Sequence, residues 1–191
     1  MKILVACEFS GIVRDAFLAR GHDAWSCDLE PTEREGPHIQ GDVLSVLDQG
    51  WDLMIAHPPC TYLTITGNKW FKPEFSSRFP NRPAQREAAA EFFLSLGNSI
   101  IPRVCIENPV GIMSTRWRKP DQIIQPYQFG HTEPKKTCLW LKGLPLLVPT
   151  LIVEPEYITS RSGKRMGAWY FLPSQSPERQ RMRNRTFQGI A

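Results

Sequence analysis

The sequence predicts an α/β protein of Rossmann-like type, with a mostly parallel sheet flanked by helices. Three apolar runs carry that expectation. Lys2 to Cys7 is nearly continuous in aliphatic residues, as a strand buried on both faces must be. Trp51 to Ala56 and Arg103 to Ile106 repeat the pattern, and each stops at proline. His57-Pro58-Pro59 closes one run and Glu107-Asn108-Pro109 the other. Proline has no N–H for a ladder, so it ends a strand and stiffens the turn that follows.

The elements follow in order. The first strand runs into Glu8-Phe9-Ser10-Gly11 and an amphipathic helix that ends near Arg20-Gly21, where glycine caps it. Ala24 to Asp28 is the second strand and delivers an acid 17 residues after Gly11. A carboxylate at that strand end suits the hydroxyl pair of a ribose, although Asp28 and Asp42 also fit ordinary turns. Residues 61–83 read as a long polar and aromatic loop with Lys69, Trp70, Phe71, Lys72, Arg78 and Arg82. Loops of that length are usually functional or disordered. A helix is expected from Ala84 to about Leu96, with Ala88, Phe92, Phe93 and Leu96 as its buried stripe. His131 to Leu141 ends in another apolar strand. Beyond it come a Pro-rich stretch from Gly143 to Pro155 and a hairpin around Gly163 to Phe171. Asn184 to Ala191 looks like the start of a helix cut short.

The chemistry concentrates where two of those strands stop. Cys60 stands at the carboxyl end of a strand, where open α/β sheets keep their ligand crevice. A thiol held rigidly there is a candidate nucleophile. The plainer fate of cysteine, a small buried apolar group, fits Cys7, Cys27, Cys105 and Cys138. Glu107 reaches the same edge, either as a solvated carboxylate or as a working acid. A thiolate adds to C6 of cytosine only when the ring is electron-poor. An acid beside N3 and the exocyclic amine supplies that, after which C5 can attack an electrophilic methyl group.

At these residues the chain resembles the C5-cytosine DNA methyltransferases, in a compact form like those of phages and prophages. Pro58-Pro59-Cys60 is similar to that family's nucleophile motif, and Glu107-Asn108-Pro109 to its Glu-Asn-Val motif with one replacement. Phe9-Ser10-Gly11 resembles its Phe-x-Gly-x-Gly cofactor loop, with Val13 in place of the second glycine. Gly41-Asp42-Val43 matches its Gly-Asp-hydrophobic step. Glu133, Lys135 and Thr137 occupy the positions of a Gln-x-Arg-x-Arg motif, so one cation is kept in register.

The resemblance covers residues 1–142 and implies a Rossmann-like, S-adenosylmethionine-dependent methyltransferase fold there. It implies Cys60 as nucleophile, Glu107 as ring activator and Lys135 as a catalytic cation for phosphate or thiolate. S-adenosylmethionine would be held by Phe9, Ser10, Gly11, Asp28, Asp42 and Pro58. Asn108, Lys69, Arg179, Arg181 and Arg183 would contact DNA carrying a flipped-out cytosine. Residues 143–191 form a reduced extension with a basic tail, too small for the family's target-recognition domain, so an accessory subunit or a homodimer could supply recognition. RNA, a free cytosine nucleotide, a modified donor and a non-catalytic DNA-binding descendant stay open. Methylation of an exocyclic amine does not fit, because His57 and Cys60 stand where that chemistry places an acceptor and an aromatic ring.

Composition sets the bounds. A chain of 191 residues makes one domain. The absence of an 18-residue apolar run or a leader pattern points to the cytoplasm. Five scattered cysteines without Cys-x-x-Cys spacing fit reduced thiols, and four isolated histidines offer no metal spacing, so no metal is expected. Seventeen prolines imply long ordered loops. Charge is uneven: residues 1–160 carry a net −2 and residues 161–191 a net +6. The basic end is either a solvated tail or an arm for phosphates, whose grip would weaken with salt.

Overall fold

A computed structural model describes residues 1–171 and 186–191. The chain divides into two units, Met1–Ile123 with Thr137–Leu146, and Ile124–Lys136 with Leu147–Ala191. The first carries the fold. Its strands are β1 (Lys2–Ala6), β2 (Asp23–Asp28), β3 (His38–Gln40), β4 (Leu53–Ala56), β5 (Arg103–Pro109), β6 (Gln122–Ile124) and β7 (Thr137–Lys142). Its helices are α1 (Ile12–Leu18), α2 (Arg82–Gly97) and α3 (Met113–Arg116).

The strands form one seven-stranded sheet in the order β3-β2-β1-β4-β5-β7-β6. β3, β2, β1, β4 and β5 run parallel, and β7 is antiparallel to β5. This is the Rossmann-like α/β architecture expected from the sequence, a mostly parallel sheet flanked by helices, with one reversed strand wedged beside β5.

Both faces of the central strands are covered, which is why those strands read as unbroken apolar runs. Leu4, Ala6, Met54 and Ile106 pack on one face with Phe93, Leu96 and Trp140. Ile3, Ala24 and Leu53 pack on the other with Phe17 and Leu18 of α1. The helix α1 stops as expected: Gly21 takes a left-handed φ of 78°, and its amide bonds Leu18 O at 2.9 Å.

The buried stripe of α2 differs from the expectation. Ala90, Phe93 and Leu96 are buried, while Phe92 is half-buried and Ala88 is exposed. Adjacent phenylalanines in an alanine-rich helix leave its rotation open by about one residue. Tertiary contact decides it, since Phe93 meets Trp117 and Trp140 edge-on at 5.9 and 5.1 Å. Pro83 sits in the first turn of α2, where a missing N–H costs nothing.

Residues 61–83 are not the open loop the sequence suggests. They coil into 3-10 turns at Ile65–Phe71 and Pro73–Phe75 around a cluster of Trp70, Phe75 and Phe79. Arg82 lies over Tyr62, Phe71 and Phe79 at 5.1 to 5.6 Å. Arg86 stacks 3.2 Å from the Phe71 centroid and donates to Tyr62 O and Asn68 Oδ1 at 2.9 and 2.7 Å. Two arginines of α2 therefore bind this segment down.

In the second unit, the chain from Tyr127 to Gly130 runs beside Leu151 to Val153, through Gly130 N to Leu151 O at 2.7 Å and Val153 N to Tyr127 O at 2.9 Å. The hairpin lies earlier than expected, as β8 (Ile158–Thr159) and β9 (Arg165–Met166). Gly163, read as the start of the hairpin, supplies its turn instead with φ 79°. Ala168–Phe171 is a 3-10 turn. Residues 186–191 make a turn closed by Ile190 N to Phe187 O at 2.9 Å, not the expected helix start; Asn184 and Arg185 lie outside the described residues. Among the described residues no helix is long and apolar enough to cross a membrane.

Phe93 is fully buried and joins α2 to the sheet. We expect Phe93→Ala to cost about 3–5 kcal/mol in urea denaturation, the usual penalty for emptying a large aromatic site. Phe92→Ala should cost clearly less, and equal costs would contradict the observed rotation of α2.

Candidate active site

The site grows out of strand register. Ala6 pairs with Ala56, and Ala56 with Ile106, so the parallel ladder of β1, β4 and β5 stops at one level while β5 runs on to Pro109 against β7. Beyond these pairs come Cys7, His57 and Glu107. The His57 amide continues the ladder by donating to Ala6 O at 2.9 Å, and the two prolines then stop it. Cys60 opens the next turn, its carbonyl accepting from Leu63 N and Thr64 N, both at 3.0 Å.

Asn108 fixes that turn. It is 2% exposed, and its side-chain amide donates to Pro58 O at 2.8 Å. The sequence suggests a nucleic-acid contact for Asn108; the structure places it beneath the nucleophile loop. The following segments are stitched as well, through Ile112 N to Leu63 O at 2.9 Å and Ile65 N to Val110 O at 3.2 Å. At Gly111 a Cβ would collide with Leu63 O, so only glycine permits this approach.

His57 and Glu107 meet directly. The ring Nδ1 lies 3.2 Å from Glu107 Oε2, with side chains 16% and 25% exposed. Nε2 of the same ring is buried without a hydrogen-bond partner. The sequence shows no sign of this pair, because only parallel register brings residues 50 apart together.

The β1–α1 turn has its own electrostatics. Cys7 takes a left-handed φ of 58°, alone in doing so among the described non-glycine residues. Such strain concentrates at functional turns. Glu8, passed over by sequence reasoning, is buried and folds its carboxylate onto the start of α1. It accepts from Val13 N at 2.8 Å, Arg14 N at 3.2 Å and Ser10 Oγ at 3.0 Å. Val13, standing where the resemblance calls for glycine, thus lends its amide to a side chain. Gly11 takes φ 71°, and a Cβ there would lie 2.6 Å from an Arg14 nitrogen. Arg14 is fully buried and fully bonded, to Asp15, Ser26, Thr32 and the carbonyls of Arg34 and Glu35.

Asp28 and Asp42 both reach this turn. Burial pushes the Cys7 thiol up to about 12, and the charges of Asp28, Cys27 and Asp42 add to the shift. Asp28 Oδ1 accepts from Glu30 N at 3.0 Å, and Asp42 Oδ1 from Leu44 N at 3.0 Å. Two carboxylates at adjacent strand ends, beside a strained turn, suit a nucleoside that offers hydroxyls and an amine and carries positive charge. They do not suit a pyrophosphate, because the helix start that would cradle one holds Glu8.

The remaining sequence candidates scatter. Phe9 and Ser10 are half-buried on the same turn. Pro58 is buried in the nucleophile loop, and Lys69 is exposed with its ammonium 4.5 Å over Trp70. Lys135 belongs to the second unit, 5.7 Å from the Phe187 ring. Arg179, Arg181 and Arg183 lie outside the described residues. Among the described residues no three His, Cys, Asp or Glu side chains gather as a metal site.

Neither a protein-family model nor a curated protein matches the chain. Solved structures do. One is a prophage-encoded E. coli protein named for DNA modification methyltransferase activity, at 15% identity and TM-score 0.48, covering 81% of this chain and 52% of that one. Another is the Dnmt2 methyltransferase of S. pombe, at 15% identity and TM-score 0.46, covering 76% and 50%. A third is the 16S rRNA methylase RmtB, at 15% identity and TM-score 0.36, covering 73% and 54%. The chain spans about half the length of each of these proteins.

Burial also sets thiol reactivity. It pushes Cys105 up to about 12, with Glu107 and Asp121 adding, and Cys138 up to about 11, with Glu107 adding. Cys27 rises to about 11 through burial and then Asp28 and Asp42. A raised thiol pKa leaves roughly one thiolate in a thousand or fewer at pH 8. Iodoacetamide at pH 8 should therefore spare Cys7, Cys27, Cys105 and Cys138 in the native protein and label all four in denaturant, read by peptide mass. Rapid native labelling of any of the four would contradict their burial.

Proposed function

We propose that the protein transfers a methyl group from S-adenosylmethionine to C5 of cytosine in DNA. The observation that supports this reading is that the Pro58-Pro59-Cys60 turn and the Glu107 segment continue from neighbouring parallel strands, with Asn108 bonded to Pro58 O at 2.8 Å. DNA is favoured as substrate by the net +6 of residues 161–191, which suits a polyanion.

In this reading the Cys60 thiolate attacks C6, forming a C–S bond. Glu107, in its acid form, donates its proton to N3 and accepts from the exocyclic amine, so the electron pair displaced by addition at C6 rests on a neutral ring. S-adenosylmethionine, when bound, would supply a methyl group on a sulfonium and leave as the neutral thioether as C5 takes the methyl. Loss of the C5 proton to a base then lets the C–S bond break, returning the thiolate. Asp28 would hold the ribose hydroxyls and Asp42 the adenine amine, while Phe9 and the Gly11 turn pack against the nucleoside. The chain's rigid contribution is to hold nucleophile and activator in one geometry before substrate arrives.

Fluorine at C5 blocks the last step. Wild type with S-adenosylmethionine should form an adduct with 5-fluorocytosine DNA that survives denaturing gels, and Cys60→Ser should form none. Glu107→Gln should slow adduct formation without loss of cofactor binding. An adduct mapping to another cysteine would overturn the assignment. Parallel reactions with labelled donor on DNA, RNA and free cytidine nucleotides identify the substrate.

Cofactor binding is tested separately. S-adenosylmethionine or its demethylated product should raise the melting temperature, since either binds only the folded chain. Asp28→Ala should remove most of that shift. A folded wild type that shows no shift with either ligand would exclude the cofactor.

A further inference from the structure

We infer that His57 is a positioning residue for Glu107, orienting the carboxylate that activates the cytosine ring; this rests on the reading under Proposed function. Three observations carry it. His57 is fixed by the sheet, since its amide extends the β4–β1 ladder through Ala6 O at 2.9 Å. Its ring Nδ1 stands 3.2 Å from Glu107 Oε2. Its other nitrogen, Nε2, is buried and bonds nothing among the described residues.

A buried polar atom without a partner is a standing cost to the fold. Such a group calls for a reason beyond packing. Here the reason is the other end of the ring. Glu107 projects from a strand end on three rotatable bonds, and aligning it only when substrate binds would cost side-chain entropy at that moment. A donor on the neighbouring strand settles the rotamer beforehand. With Oε2 turned to His57, Oε1 is the oxygen that meets the N3 edge of the base.

The pairing assigns a tautomer, with the proton on Nδ1 donated to the carboxylate. Cys105 on β5 and Cys138 on β7 both feel the charge of Glu107, and burial keeps both thiols protonated. Cys7, at the end of β1, is held protonated in the same way.

Two measurements test the inference. With the full chain, 5-fluorocytosine DNA and S-adenosylmethionine, His57→Ala should lower the rate of adduct formation about 100-fold. The KM for DNA and the melting shift given by the demethylated cofactor should stay as in wild type. His57→Asn restores an N–H near the place of Nδ1–H and should recover most of the rate. A His57→Ala enzyme at wild-type rate, or one that Asn fails to rescue, overturns the proposal. The second measurement needs no activity. Nitrogen-15 NMR should show the Nδ1–H tautomer of His57 in wild type and its loss in Glu107→Leu. A ring indifferent to that substitution overturns the pairing. A wild type without methyl transfer but with the tautomer change would reject the cytosine reading alone.

Discussion

The hydrogen bond from Asn108 to the Pro58 carbonyl is the contact on which the site depends. Parallel pairing of β4 and β5 stops at one level, and two prolines then free the chain from the ladder. Without a further constraint the Cys60 turn would be set only by its own local bonds. A buried amide from the next strand removes that freedom, and burial makes the bond expensive to break. Gly111 lets the two loops close further on, where Leu63 and Ile112 pair. The Cys60 turn and the Glu107 segment are therefore held by one continuous backbone structure, so displacement of either moves both.

Electrostatics at the neighbouring turn follow the same economy of internal partners. A helix start is a ready site for an anion. The chain fills it with Glu8, whose carboxylate takes the amides of Val13 and Arg14. Arg14, carrying one of those amides, spends its guanidinium on Asp15, Ser26, Thr32 and two carbonyls of the β2–β3 connection. A buried charge is tolerable only when it is paired and bonded this fully. The consequence is specificity by exclusion. A phosphate-bearing ligand would have to displace a covalently tethered carboxylate, and Asp28 and Asp42 add further negative charge near the same turn.

The strands and their stopping points were legible because their signals are local. A doubly covered strand must be apolar throughout, and proline ends it wherever it stands. Cys60, Glu107 and Asp28 come at or just after the ends of such runs, so their common edge could be read from order, whereas Asp42 was reached through the resemblance of Gly41-Asp42-Val43 to a family motif. What escaped depended on distance in sequence. Glu8 and Arg14 look like ordinary polar residues until the turn folds back on them. The rotation of α2 is settled by Trp117 and Trp140, which no helix-periodic pattern can foresee. His57 was legible only as a mismatch to another chemistry, since its partner lies fifty residues on.

The segment after Cys60 shows the same limit and adds a physical point. A long polar stretch with aromatics reads as a flexible loop, yet here arginines from the first turns of α2 lie on its rings. Burial lowers the pKa of the Arg86 guanidinium, with Arg82 and Arg116 nearby adding to the shift. Two like charges are therefore brought close against an aromatic floor. The ring faces offset part of that repulsion, and Tyr62 O and Asn68 take Arg86 donors directly. This segment is consequently a folded lip following the Cys60 turn, anchored at Arg86 and again at Gly111, so that turn is bordered by a preformed edge and not by an open loop.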